Sequence, residues 1–472
     1  MIPITIFAGR DVAVFGLGVS GIAAARALAA GGAQILAWDD TAKARDNAAA
    51  QGVTLRDLTS ADWTKIAALV LAPGVPLTHP EPHWTVAKAS DAAVEVIGDT
   101  ELFFRERAKQ GSRSKVVVIT GTNGKSTTTA LTAHLLAAAG KPVALGGNIG
   151  RAVLDLPPFA EGLTYVLELS TFQIDLTPSL GADAAALLNI TPDHLDRHGT
   201  LEHYASIKGR VFAGLPASGT AVIGVDDAYS RAIADALGGS FAIKRIAVGH
   251  PVEMGVWAKD GVLTEVENGV ERARVSLAGI GSLRGAHNWQ NAAMAYALAR
   301  SQGLEAAAIA QGLASFAGLA HRMEQVARRG PVLFVNDSKA TNADAAAKAL
   351  ASFTDIYWIA GGRPKAGGLA GLETFFPKIA RAYLIGEAAD AFAAQLGTEV
   401  DHVQCGTLDR AIEQAAVDAR GSGAKEPVVL LSPACASYDQ FANFEARGQS
   451  FRDIVMTLHG VEPMQPDEGG AA

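Results

Sequence analysis

Four β-branched residues in a row, Val116, Val117, Val118 and Ile119, run through Thr120 into Gly121, Thr122, Asn123, Gly124, Lys125, Ser126 and Thr127. Such a run favours a buried strand, and two glycines with an Asn relax the turn that follows it. Residues 126–139 then read as a helix that Gly140 stops. A strand, a small-residue loop and a helix in that order commit this part of the chain to a layered α/β fold. Small residues let backbone N–H groups approach phosphate oxygens, the helix N-terminus adds partial positive charge, and Lys125 adds a full one. A triphosphate fits such a loop. The general P-loop spacing asks for glycine at position 119, where this chain has Ile119, so the loop is a shorter variant.

The segment before it carries a second glycine-rich turn. Val12 to Phe15 reads as a strand, followed by Gly16, Gly18 and Gly21 at dinucleotide-binding spacing and a second strand ending at Trp38, Asp39 and Asp40. The pattern supports a diphosphate near a helix N-terminus. It does not distinguish a nicotinamide cofactor from a nucleotide-sugar diphosphate. Residues 67–71 are a further short strand, and residues 105–115 read as a solvated, basic surface connection.

Beyond the loop, residues 164–170 form a buried strand with Glu168 near its C-terminal end, where an acid commonly meets a phosphate-bridging metal. Residues 184–190 are the next strand. His194 and His198 follow at helical i, i+4 spacing; zinc lacks a third soft ligand here, carboxylates suit a hard ion better, and His198 reads as a surface histidine. Lys208 falls on a helix over residues 204–212 and, by itself, reads as exposed. Asp260-Gly261 and Asn268-Gly269 signal two hairpins within residues 256–277, expected as a small antiparallel sheet beside the main one. A helix over residues 285–300 and a second helix lead to a hinge at residues 319–324. Strands at 332–335, 356–360, 382–385 and 428–431 then alternate with helical sequence, predicting another doubly wound sheet with polar clusters at its strand ends, 336–342, 361–365 and 432–441. The tail from Gly460 reads as disordered.

A chain of 472 residues exceeds what one core usually serves. Forty Lys and Arg against 48 Asp and Glu give a formal charge of −8, which argues against nucleic acid or an anionic membrane as partner. Cys405 and Cys435 allow no disulfide framework, and no secretory leader or stretch of ~20 apolar residues is seen. A soluble cytoplasmic protein is expected.

These motifs together resemble the Mur ligases of peptidoglycan synthesis. The resemblance is carried by residues 121–127, 147–150, Glu168 to Gln173, His287-Asn288, His321 to Glu324, 336–342 and 432–444. The loop at 121–125 alone would admit the wider superfamily, including folylpolyglutamate synthase; residues 336–342 and 432–437 resemble the D-glutamate-adding members. The resemblance implies an α/β chain of three domains: a Rossmann-like UDP-substrate domain (1–103), a central P-loop-type ATP domain with its small antiparallel sheet (104–318), and a Rossmann-like amino-acid domain (319–472). It further implies a monomer that joins UDP-N-acetylmuramoyl-L-alanine to D-glutamate with ATP and Mg²⁺, and domain closure during turnover. A nicotinamide-dependent oxidoreductase, the alternative from another class, would leave the Lys125 loop unexplained.

Residue roles follow from the resemblance alone. Gly121, Thr122, Asn123, Gly124, Lys125, Ser126 and Thr127 would hold the ATP phosphates, and Asn288, Asn291, Arg322 and Asp337 the adenosine part. Ser126 with Glu168 would bind one magnesium and His194 a second. Lys208 falls where the family has a lysine carbamylated by CO₂, an anion that serves metal and substrate. Val19, Ser20, Asp39 and Asp40 would contact the uridine diphosphate, with Asn148 and Ser170 further along that substrate. Lys339, Thr341, Ser437 and Phe444 would surround D-glutamate. Thr171 stands where Ser is more usual, and Arg363 replaces the Asp of a Gly-Gly-Asp-x-Lys form, with Lys365 as a further D-glutamate contact.

Overall fold

The computed structural model describes residues 1–464. The chain divides into two compact units, Met1–Ser276 with Trp289–Leu313, and Leu277–Asn288 with Ala314 onward. Among the described residues there are three sheets, of four, nine and seven strands.

The first unit holds two of them. Its four-stranded parallel sheet runs in the order Gln34–Trp38, Asp11–Phe15, Ile66–Leu71, Glu95–Ile97. The larger sheet centres on Lys115–Thr120, parallel to Thr164–Glu168 on one side and Ala184–Leu187 on the other. These strands are buried on both faces, so their sequences are continuous apolar runs rather than alternating ones. Their C-terminal ends converge, and that edge carries the Lys125 loop, Glu168 and the loop after Leu187, as expected for ligand sites in open α/β sheets.

The two hairpins exist as predicted: Asp260, Gly261, Asn268 and Gly269 all have positive φ, as type I′ turns require. They do not form a separate sheet, however. Gly255–Lys259 pairs in parallel with Ala242–Val248, so the antiparallel strands Val262–Glu267 and Val270–Ser276 extend the main sheet at its edge. The charged stretch from residue 105 is also not a solvated linker. Helix Asp99–Lys109 continues through it, Arg105 pairs with Glu95 (2.8 Å) and Glu101 (2.6 Å), and Arg107 binds Asp183 (2.8 Å) and the carbonyls of Gly181 and Ser114.

The second unit is built on the seven-stranded sheet, ordered His402–Gly406, Ile379–Ile385, Ile356–Gly361, Val428–Leu431, Val332–Asn336, Glu324–Arg329, Glu462–Pro463. Leu333, Val335, Trp358 and Leu430 feed the core on one face, and Phe334, Ile359, Tyr383 and Leu431 the core on the other. The four predicted strands form its interior. Two flanking strands were missed: Glu324–Arg329, three of whose six residues are charged and only two of which are fully buried, and the edge strand His402–Gly406, which is half-exposed. The expectation of disorder from Gly460 fails at its start, since Glu462–Pro463 pairs antiparallel with Ala327 and Arg328 and Met464 N–H donates to Val326 O at 3.0 Å; the rest of that expectation lies outside the described residues. No helix among the described residues is long and apolar enough to cross a membrane.

Candidate active site

The phosphate loop is shaped from behind. Gly121 and Gly124 have φ of +151° and +86°, and a Cβ on Gly124 would meet the Asn291 carboxamide. Asn189 fixes the loop's first half: its backbone carbonyl accepts from Thr122 N–H (2.8 Å) and its side chain accepts from Asn123 N–H (2.9 Å). Those two N–H groups are therefore spent on shape. What the loop presents to a ligand is the first turn of helix Lys125–Ala138, whose N–H groups no intrahelical carbonyl can satisfy, together with Lys125. Lys125 Nζ arches back over the loop to the carbonyls of Gly121 (2.9 Å) and Thr122 (2.8 Å). Ser126 and Thr127 lie in that first turn, and Asn291 Oδ1 accepts from Thr128 Oγ1 at 3.3 Å.

Two further sequence-predicted residues meet there. Lys208 is 1% exposed, and its Nζ donates to the same Gly121 carbonyl at 2.9 Å while lying 4.6 Å from the Tyr204 ring centre. Burial, and then the nearby Lys125 charge, pushes Lys208 well below the ordinary lysine range, against the pull of Asp193 and Glu168. Its helix is Leu201–Gly209, so the reading of an exposed surface lysine is overturned. Glu168 is buried at its strand end; Oε1 accepts from Asn148 Nδ2 at 2.8 Å, whereas Oε2 has no hydrogen-bond partner. An orphaned buried carboxylate oxygen costs roughly 1–3 kcal/mol, which a bound cation would offset. The Glu168 carboxylate, with the Ser126 hydroxyl in the first turn of the phosphate-loop helix, thus fits magnesium, an oxygen-seeking ion most of whose ligands are phosphate and water oxygens. No group of three or more His, Cys, Asp or Glu side chains is assembled as a metal cage among the described residues.

His194 has a left-handed backbone (φ +52°), is half exposed, and faces Asp193 at 3.4 Å. His198 is not the surface residue expected: it is 3% exposed, stacks on Phe172 at 5.1 Å and meets Thr171 Oγ1 at 3.0 Å. Sequence reasoning also missed Arg197 and Phe172. Arg197 donates to the carbonyls of Gly74 (2.9 Å) and Val75 (2.9 Å) while covering the Phe172 ring at 4.7 Å, which straps the His194 loop to the first sheet. The signal available was an Arg three residues after His194, indistinguishable in sequence from a solvated charge.

At the first glycine turn, Gly16 has φ +89° and packs on Ala72, and Gly21 closes onto the Gly16 carbonyl. Gly18 differs: a Cβ there would meet nothing within 4 Å. Val19 is exposed beside it, and Ser20 is half-buried in the first turn of helix Val19–Ala30. Asp39 braces this turn, accepting from Leu17 N–H at 2.8 Å and Thr41 N–H at 2.9 Å. Burial opposes its ionisation, yet those hydrogen bonds and Arg45 hold its carboxyl below the usual range. Asp40 pairs with His83 (3.0 Å) and Trp84 (3.2 Å). Ser170 caps helix Thr171–Asp175 through a box with Gln173.

In the second unit, Asp337 is buried between Ser432 Oγ (2.8 Å) and Met323 N–H (3.2 Å), and burial pushes its carboxyl up to about 7. Arg322 lowers it in part, and Asn288 binds the Arg284 carbonyl at 3.0 Å. Lys339 Nζ sits 3.8 Å from the Phe444 ring centre; Thr341 N–H binds the Lys339 carbonyl, and Ser437 is buried. Arg363 pairs with Glu387 at 3.3 Å and its backbone bridges to Ala436, while Lys365 is exposed.

The fold and these sites define a nucleotide-binding α/β protein with a short P-loop-type turn and a separate unit bearing polar strand-end clusters. Residues 119–299 match the Mur ligase middle domain, and residues 321–435 match the Mur ligase, glutamate ligase domain. UDP-N-acetylmuramoylalanine--D-glutamate ligase of Chelativorans sp. is 58% identical over 463 residues, 98% of each chain, and that of Bradyrhizobium diazoefficiens is 56% identical over 465 residues, 98% of this chain and all of the relative. Among solved structures, UDP-N-acetylmuramate-alanine ligase from Thermotoga maritima shares the fold at a TM-score of 0.56 and 16% identity, covering 94% of this chain and 98% of its own. A pseudomurein peptide ligase from Methanothermus fervidus does so at 0.53 and 18% identity, covering 95% and 99%. The chain belongs to the Mur ligase family.

Proposed function

We infer that this protein is an ATP-dependent amide ligase that adds D-glutamate to UDP-N-acetylmuramoyl-L-alanine in peptidoglycan precursor synthesis, forming ADP and phosphate. The observation that carries the reading is the meeting of Lys125 and Lys208 on one carbonyl of the phosphate loop, in a chain more than half identical over its whole length to relatives of that name. A carboxylate is a poor electrophile at neutral pH. One oxygen of the alanine carboxylate attacks the terminal phosphorus of ATP and ADP leaves, giving an acyl phosphate. The neutral amine of D-glutamate then attacks the acyl carbon, and the tetrahedral adduct expels phosphate. Catalysis is mainly positioning and charge neutralisation.

Lys125 serves the phosphoryl oxygens, and Gly121 to Thr127 seat the triphosphate. Ser126, Glu168 and His194 would hold magnesium, which when bound neutralises the charge that gathers on the phosphate oxygens. The depressed basicity of Lys208 supports its carbamylation, because only a neutral amine adds to CO₂, losing a proton as the carbamate forms. Val19, Ser20, Asp39, Asp40, Asn148 and Ser170 face the UDP-sugar substrate; Asn288, Asn291, Arg322 and Asp337 the nucleoside; Lys339, Thr341, Ser437 and Phe444 the amino acid. A cytoplasmic monomer suits this reading, since one chain supplies every one of these groups.

Purified protein with both substrates, ATP and Mg²⁺ should release phosphate. No release, or equal release with L-lysine or L-alanine in place of D-glutamate, would rule the assignment out. The same assay in CO₂-depleted buffer should slow and recover on adding bicarbonate; indifference to bicarbonate would remove the carbamate.

A further inference from the structure

Arg447 lies in the first turn of helix Phe444–Thr457, which Asn443 caps, and is 1% exposed. A guanidinium buried this deeply needs oxygen partners around its whole edge. Nε donates to Ser338 Oγ at 3.0 Å, Nη2 to the carbonyls of Ser338 (2.9 Å) and Cys435 (3.0 Å), and Nη1 to that of Ala436 (3.4 Å). All four partners are uncharged, so the group is held as a bracket for backbone rather than as half of an ion pair. Burial lowers it to about 10, with Cys435 and Asp439 opposing, and it stays charged at neutral pH.

The bracket joins three separate segments. Ser338 Oγ in turn donates to the Phe444 carbonyl at 2.8 Å. Ser338 directly precedes Lys339, Ala436 directly precedes Ser437, and Phe444 opens the helix that carries Arg447. Space for the guanidinium is reserved on its far side by Gly362, where a Cβ would come within 3.1 Å of Nη1.

We propose that Arg447 is a positioning residue for the amino-acid substrate, setting the relative placement of Lys339, Ser437 and Phe444 through three carbonyls and one hydroxyl. It rests on the D-glutamate ligase reading above. A planar fork with donors along its whole edge is what spans these acceptors; a lysine keeps the charge at one point and loses the bracket. Displacement of a binding group by ~1 Å lowers rate by up to ~10²-fold, so loss of the bracket falls on the amino-acid step.

Steady-state kinetics of Arg447→Lys and Arg447→Met test this. Both should raise the KM for D-glutamate by about tenfold or more while the KM values for ATP and the UDP substrate stay within about twofold. Wild-type KM in Arg447→Lys would show that charge suffices and overturn the proposal, as would equal rises in all three KM values. Should those variants fail to fold, Ser338→Ala decides. It removes the Nε acceptor and the tie to Phe444 without stranding a charge, and it should raise the D-glutamate KM selectively by about threefold or more. An unchanged D-glutamate KM there overturns the proposal. If the wild-type enzyme does not use D-glutamate at all, the functional reading fails instead.

Discussion

At the scale of single residues, three glycines of one motif do different work. Gly16 is needed for its left-handed φ of +89° and its contact with Ala72, and Gly21 for its approach to the Gly16 carbonyl. Only Gly18, with open space where a side chain would lie, is left for a ligand. Gly18→Ala should therefore leave the unfolding free energy within about 0.5 kcal/mol of wild type yet raise the KM for the UDP substrate. Gly16→Ala should lose about 1–3 kcal/mol through strain and overlap. Denaturant titration and kinetics on the pair check this; a Gly18→Ala enzyme with unchanged KM would mean that no ligand approaches there. The positions of Lys125 and Glu168 were legible because strand, loop and helix place them by local sequence alone. Arg447 was not, because one Arg in a polar helix carries no mark of burial, and only the sheet brings residues 338 and 435 to it.

Among the elements, the loop from residue 191 to 200 shows how a stretch without regular periodicity becomes ordered. Phe172, on the short helix after the Glu168 strand, is contacted by the His194 ring at 5.0 Å, the His198 ring at 5.1 Å and the Arg197 guanidinium at 4.7 Å. Burial pulls His198 down to about 4 from 6.5; Asp175 opposes, and His203, His194 and Lys208 reinforce the shift. The folded state thus favours the neutral ring, while the unfolded chain takes up a proton below 6.5. Its contribution is intact above pH 6.5 and is lost as pH falls from there toward 4. Urea denaturation of wild type and His198→Gln at pH 7 and pH 4.5 should show a smaller acid loss in the variant; equal losses would assign the acid sensitivity elsewhere. Strands were legible in sequence where both faces are buried, as in Lys115–Thr120, and invisible where one edge meets water, as in His402–Gly406. Patterning reports burial, and edge strands have little of it.

For the whole molecule, the division into two units sorts the expected substrate contacts by chain segment. Val19, Ser20, Asp39, Asp40, Asn148 and Ser170 all belong to the first unit, and Lys339, Thr341, Ser437 and Phe444 to the second. The expected ATP contacts are the one set divided by chain segment, with residues 121–127 and Asn291 in the first unit and Asn288, Arg322 and Asp337 in the second. A ligand protects the backbone it orders, by RT ln(1 + [L]/Kd), about 2.7 kcal/mol at a hundredfold excess over Kd. Hydrogen–deuterium exchange should therefore separate the three substrates. The UDP substrate alone should slow exchange at residues 16–21 and 147–150 and leave 336–342 unchanged. D-glutamate, supplied alone at saturating concentration, should slow 336–342 and 435–444 and leave 16–21 unchanged. ATP should slow 121–127 together with 321–324 and 336–337. If the UDP substrate slowed 336–342 as strongly as its own segments, the assignment of contacts by unit would fail, because that transfer of protection requires the two substrates' contacts to share one cooperative element.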